Sequence, residues 1–267
     1  MFKRSEVYQV WRHQRDQPTS QVQDEITSEE PMEIRVAGRP VGVTMRTPGN
    51  DEELALGFLL GEGVISKAQD VAHLRRCDQA RGDVLDVLTS PDVAVDFARL
   101  TRHVFASSSC GVCGSATIDA VRGKFPAASD GPTIHADELL KLPDLLRASQ
   151  ATFDRTGGVH AAGLFEPGAR LVVAREDVGR HNAVDKVIGF ALRAGILPLA
   201  GHALMVSGRV SFEIVQKSLA AGIPIIAAVS APSSLAIDLA TEANITLVGF
   251  LRAERFNVYS HPERILP

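Results

Sequence analysis

Cys110-Gly-Val-Cys113 lies within Ser107-Ser-Ser-Cys-Gly-Val-Cys-Gly114, a run of small residues with two thiols at its centre. The run has no periodic apolar face and no bulky strand formers, so it reads as a loop with exposed amide donors. Two of the chain's three cysteines stand here, close enough for their sulfurs to touch. Three chemistries fit the pair. A structural zinc site needs four ligands, yet there is no second Cys-x-x-Cys pair, and Cys77 lies far upstream. His135, His160, His181 or a second copy of the chain would have to complete it. A thioredoxin-type dithiol would open a helix after an early strand, a context this loop does not match. In sulfur transfer, one thiolate takes up sulfane sulfur as a persulfide, helped by N–H donors that lower its pKa and by a loop that can reach donor and acceptor. The loop alone leaves the choice open.

A second group of chemistry-bearing residues sits at three strand-to-helix junctions: Arg175-Glu-Asp-Val-Gly-Arg-His-Asn182, Ser207-Gly-Arg-Val-Ser211 and Ser230-Ala-Pro-Ser-Ser234. In an open α/β sheet such loops gather at the carboxyl ends of the strands, where ligands bind. Each begins a helix, so free N–H groups and the positive dipole end face one crevice. Arg175, Arg180 and Arg209 add charge, Ser207 adds a donor, and Gly179 and Gly208 allow close backbone approach. Asp177 and His181 stand among them. Each also has a structural reading: Ser211 and Ser234 as helix N-caps, Asp177 as a partner of Arg175 or Arg180. Three convergent loops with three arginines favour an anion, phosphate or pyrophosphate. Walker-type ATP hydrolysis is excluded, because no G-x-x-x-x-G-K-[ST] occurs. His160 fits either a core or a catalytic histidine, with the core reading favoured, and Cys77 reads as a small buried hydrophobe.

The elements that must position these residues divide the chain in two. Residues 1–125 read as a β-rich α+β portion ending in the cysteine loop. It holds a strand near Val7–Trp11, a hairpin over 32–45 turning at Gly38-Arg39, a helix opened by Asn50-Asp-Glu-Glu, and strands at 71–74 and 84–88. Beyond the breaker cluster 124–132, residues 126–267 alternate helical and short buried apolar runs. One helix is predicted over 136–154, split by Pro143, then strands and helices that imply a mainly parallel sheet with helices on both sides. Composition is that of a globular protein, at 45% hydrophobic and 22% charged residues. A formal charge of −4 and only 5% aromatics argue against nucleic-acid binding. No signal core or spanning apolar run is present, so the expectation is a soluble, cytoplasmic protein without membrane partners.

Taken together, Ser108–Gly114, Thr156-Gly-Gly-Val-His-Ala-Ala162, the long run Arg175–Lys186, Ser207-Gly-Arg209 and Arg255-Phe-Asn-Val-Tyr259 resemble the formate dehydrogenase accessory sulfurtransferases, the FdhD-type sulfur carriers. The resemblance runs from about Pro31 to the end, and the Arg175–Lys186 run is its most specific part. It implies a cytidine-deaminase-like α/β sandwich without the deaminase zinc signature, and hence no resident metal. It further implies a homodimer that takes sulfur from a cysteine desulfurase. The sulfur passes to the molybdenum of Mo-bis(molybdopterin guanine dinucleotide), the cofactor of formate dehydrogenase. The persulfide residue of the family falls on Cys110, with Cys113 as its partner. Its cofactor-binding stretch falls on Phe250, Leu251, Arg252, Ala253, Glu254 and Arg255, where members often carry glycine in place of Ala253 and Glu254.

Overall fold

The computed structural model describes residues 3–79, 82–97 and 125–267. Among them the strands form four sheets. A hairpin of β1 (Ser5–Arg12) and β2 (Ser20–Thr27) stands by itself. Next comes a four-stranded sheet of β3 (Glu30–Val36), β4 (Arg39–Arg46), β5 (Val71–Gln79) and β6 (Gly82–Thr89), in the order β4-β3-β6-β5. The β3–β4 turn sits one residue earlier than expected, with Ala37 and Gly38 both at positive φ. That backbone matches the right-handed twist of paired strands. Met32, Ile34 and Val36 alternate inward along β3 and meet α1 (Asp51–Gly61).

Helix α1 is buried almost all round rather than on one face. It is clasped between the four-stranded sheet and α4 (Arg180–Ala194). Two glycines permit the approach. A Cβ on Gly57 would collide with the carbonyl oxygen of Asp185, and one on Gly189 with that of Glu53. The helices therefore touch backbone to backbone at both points.

The second half is built on a six-stranded sheet in the order β13-β12-β11-β10-β8-β9. Its strands are β8 (His160–Glu166), β9 (Arg170–Asp177), β10 (Ala203–Val206), β11 (Ile225–Ala228), β12 (Thr246–Arg252) and β13 (Arg255–Ser260). A short parallel bridge joins β7 (Ile134–His135) to β14 (Ile265–Leu266). The expectation of a mainly parallel sheet needs correction. Only β10·β11 and β11·β12 are parallel, while β8·β9, β8·β10 and β12·β13 are antiparallel. Tight turns after Glu166 and Arg252 are too short for a crossover, so they enforce antiparallel neighbours. The parallel pairs carry the crossover helices α5 (Phe212–Ala220) and α6 (Ser234–Glu242).

Helices do cover both faces of this sheet. Leu204, Val206, Ile226 and Ala228 point to the core shared with α4, α5, α6 and α1. The alternate residues Ala203, Met205, Ile225 and Ala227 point to α2 (Ala136–Ala148), through Leu139, Leu142 and Leu146. The predicted 136–154 helix breaks at Ser149-Gln150 rather than at Pro143, which α2 carries inside it. The break lets Glu176 accept hydrogen bonds from the Thr152 and Phe153 N–H groups at 2.9 and 2.8 Å, which caps α3 (Ala151–Thr156). No helix among the described residues is long and apolar enough to cross a membrane.

Candidate functional site

Strand direction decides which residues can meet. Strands β9, β10, β11 and β12 run the same way, so Asp177, Val206, Ala228 and Arg252 end at one edge of the sheet. Antiparallel β8 and β13 begin at that edge, with His160 and Arg255. The three expected junctions therefore converge. The second and third lie side by side, since the Val210 N–H donates to Ala231 O at 3.2 Å and the Ser233 N–H to Val210 O at 2.9 Å. The Phe250 N–H donates to Ser230 O at 3.2 Å, which draws the end of β12 alongside. The first turns of α4, α5 and α6 all open here.

Most polar side chains of the run from Arg175 to Lys186 are engaged in holding this edge together. Arg175 makes a fork to Glu53 of α1, with Nε and an Nη at 2.6 and 2.8 Å from the carboxylate oxygens, and stacks over Phe190. Asp177 is fully buried and does not pair with Arg175 or Arg180. It takes Lys186 Nζ at 2.6 Å and accepts from Thr47 N–H, Gly179 N–H and Asn182 Nδ2 at 2.9 to 3.1 Å. Asn182 also donates to Met45 O at 2.8 Å, and Lys186 to Thr47 O at 2.9 Å. Ser207 is closed onto β8, exchanging hydrogen bonds of 2.9 Å with the Ala161 backbone through its own N–H and Oγ.

Arg180, His160, His181, Gly208 and Arg209 are left to define the crevice. Arg180 Nε is buried and has no hydrogen-bond partner among the described residues. A Cβ on Gly208 would come within 3.2 Å of His160 Nδ1 and 3.5 Å of Arg180 Cδ, so these three residues surround one point. Arg209 is exposed beside them. Burial, then the charges of Arg180 and Arg209, lowers the His160 pKa. His181 Nε2 lies 2.8 Å from Ser211 Oγ and 3.2 Å from Glu213 Oε2. Burial, then Arg180 and Lys217, brings its pKa down to about 3, in spite of that carboxylate. Both rings are therefore neutral at pH 7, and the fixed positive charge comes from the arginines and helix starts. That arrangement suits an anion.

Two capping expectations resolve differently. Ser233 rather than Ser234 caps α6, accepting from the Ala236 N–H at 3.3 Å, because it is the last residue with extended backbone. Ser211 stands at the start of α5, but its hydroxyl meets His181 instead of a backbone N–H. In the C-terminal stretch, Leu251 is buried in the α2-side core. Phe250 is exposed at positive φ, and Arg252, Ala253, Glu254 and Arg255 are exposed around the β12–β13 turn. Cys110 and Cys113 lie outside the described residues. Cys77 is half-buried on β5, less enclosed than expected. Sequence reasoning left His160 between a core and a site role, and it missed Thr47 and Glu213. The antiparallel direction of β8, which carries His160 to the site edge, follows from the short turn after Glu166. Thr47 and Glu213 left no such trace.

Residues 27–266 match the FdhD/NarQ family. A sulfur carrier protein FdhD from Streptomyces coelicolor is 52% identical over 260 residues, covering 94% of this chain and 92% of that protein. One from Mycobacterium tuberculosis is 51% identical, covering 89% and 90% of the two chains. A crystal structure of a protein designated a formate dehydrogenase accessory protein, from Desulfotalea psychrophila, superposes with a TM-score of 0.79. It is 29% identical, with 99% of this chain and 100% of that chain covered. The chain belongs to the FdhD/NarQ family.

Proposed function

We propose that this protein is a cytoplasmic, homodimeric sulfur carrier that serves formate dehydrogenase. The Cys110 thiolate attacks the terminal sulfur of a cysteine desulfurase persulfide. A new S–S bond forms on Cys110 while the desulfurase cysteine leaves as a thiolate, so sulfur moves as a neutral atom. Cys113 then either relays that terminal sulfur or attacks the inner sulfur of Cys110. In the second case hydrosulfide is released and a Cys110–Cys113 disulfide remains, which a thiol reductant reopens. The acceptor is the molybdenum of Mo-bis(molybdopterin guanine dinucleotide), whose nucleotide phosphates are held at the Arg180 and Arg209 helix starts. Of the stretch 250–255, the exposed Phe250, Arg252 and Arg255 are the side chains that would meet that ligand, by stacking and by charge.

The observation that carries this reading is the 52% identity to sulfur carrier proteins over nearly the whole chain. The cationic sheet edge supports the nucleotide part. Mass spectrometry after incubation with a desulfurase and cysteine tests it: an adduct of about 32 Da on Cys110 is expected. In cells, Cys110→Ala should abolish formate dehydrogenase activity while the purified variant keeps its circular dichroism spectrum. A disulfide without any sulfur adduct would favour a dithiol oxidoreductase and overturn the assignment.

A further inference from the structure

The β1–β2 hairpin is the least explained part of the molecule. It forms its own two-stranded sheet, and among the described residues β1 pairs with β2 alone. Yet β1 exposes three large apolar side chains, Val7 at 64%, Tyr8 at 52% and Trp11 at 71%. An open strand edge with exposed apolar residues is a template for pairing with another chain.

Backbone parity shows which groups are free. The Ser28 N–H donates to Arg4 O at 2.9 Å, which makes Arg4 and Ser28 a hydrogen-bonded pair. Such pairs alternate along an antiparallel ladder, so even-numbered β1 residues turn their backbone groups to β2. Ser5, Val7, Gln9 and Trp11 turn theirs outward.

We propose that this edge is where two copies of the chain meet, β1 against β1 across a twofold axis at Gln9. The inference rests on the homodimer reading above and assigns it a surface. The register is selected by the sequence of β1 itself. Centred on Gln9, Glu6 lies opposite Arg12 of the second copy, Val7 opposite Trp11, and Tyr8 opposite Val10. Each pair occurs twice, as an isologous interface requires. Val7 and Trp11 of both copies gather on one face around the Gln9 pair, while the opposite charges meet on the other. Moving the centre to Tyr8 would set Arg4 against Arg12; moving it to Val10 would set Glu6 against Gln14. Only the Gln9 register satisfies charge and apolar pairing together. Within one copy, Arg12 reaches Asp24 only at 3.9 Å, with both side chains about half exposed, so little holds it away from a new partner.

Sedimentation equilibrium of the full chain tests the proposal through a charge exchange. Wild type should dimerise. Glu6→Arg alone and Arg12→Glu alone should each weaken the dimer about tenfold or more, because like charges then face each other twice. An equimolar mixture of the two variants should recover it, since every charged pair across the axis then joins an arginine of one variant to a glutamate of the other. Trp11 is the chain's single tryptophan, so its emission should shift to shorter wavelength as wild type assembles. Dimeric wild type with both variants unaffected would overturn this surface while leaving the homodimer intact. Failure of the mixture to recover the dimer would overturn the register. A wild type that stays monomeric would leave the face to another protein and overturn both readings.

Discussion

At the residue scale, the crevice keeps its positive charge on arginines and its histidines neutral. The lowered pKa of His181 makes stability depend on pH with a definite sign. The folded protein holds this ring neutral down to about pH 3, whereas an unfolded histidine takes a proton near its ordinary pKa of 6.5. The stabilisation is therefore complete above pH 6.5 and is lost as pH falls from there toward 3, by at most about 1.4 kcal/mol per pH unit. Urea unfolding of wild type and His181→Gln across that window should show a shallower acid slope in the variant. His160 offers a second check. Arg180 is the larger of the two charges that depress it, so Arg180→Gln should raise its pKa, read from the imidazole proton shifts. The same variant should weaken guanosine diphosphate binding about tenfold, the loss expected for one charge-assisted hydrogen bond. A His160 titration that does not move would show that Arg180 lies farther from the ring than described.

At the scale of elements, the run Arg175–Lys186 works largely as a clamp. Arg175 grips α1, Glu176 caps α3, and Asp177 and Asn182 hold the end of β4. Only Arg180 and His181 remain for the crevice, so most of this run serves the fold. The α1–α4 crossing has its own test. Gly57→Ala or Gly189→Ala would force a methyl group into a backbone carbonyl, with no flexible side chain to yield. Each should destabilise by about 1–3 kcal/mol or more. Gly195→Ala, at φ +69° with open space around it, should cost only about 1 kcal/mol. Guanidinium unfolding of the three variants would read the order directly, and equal losses would count against a backbone-to-backbone crossing.

At the scale of the whole molecule, one apolar cluster joins both halves of the chain, from Met32 and Leu54 through Val184 to Ile226. The joint is also ionic. Lys186 ties Asp177 to Thr47 O, and Arg175 of the second half forks onto Glu53 of the first at 2.6 and 2.8 Å. Lys186→Met would leave the buried Asp177 carboxylate without its cation, at a cost of roughly 3–5 kcal/mol. Calorimetry should show a single transition in wild type, displaced to lower temperature in the variant; two separate transitions would mean that the halves fold independently. Much of this architecture was legible in the chain. Periodicity placed the β3–β4 hairpin and the helices of the second half, because apolar spacing is a local property. The Ser/Gly/Arg junctions were legible too, since helix starts carry characteristic residues. The partners of Asp177 and Arg175, and the meeting of His160 with Arg180 and Gly208, were decided only by the tertiary structure. Those depend on which distant segments share an edge, as Thr47 and Asp177 do across 130 positions, and no local pattern records that choice.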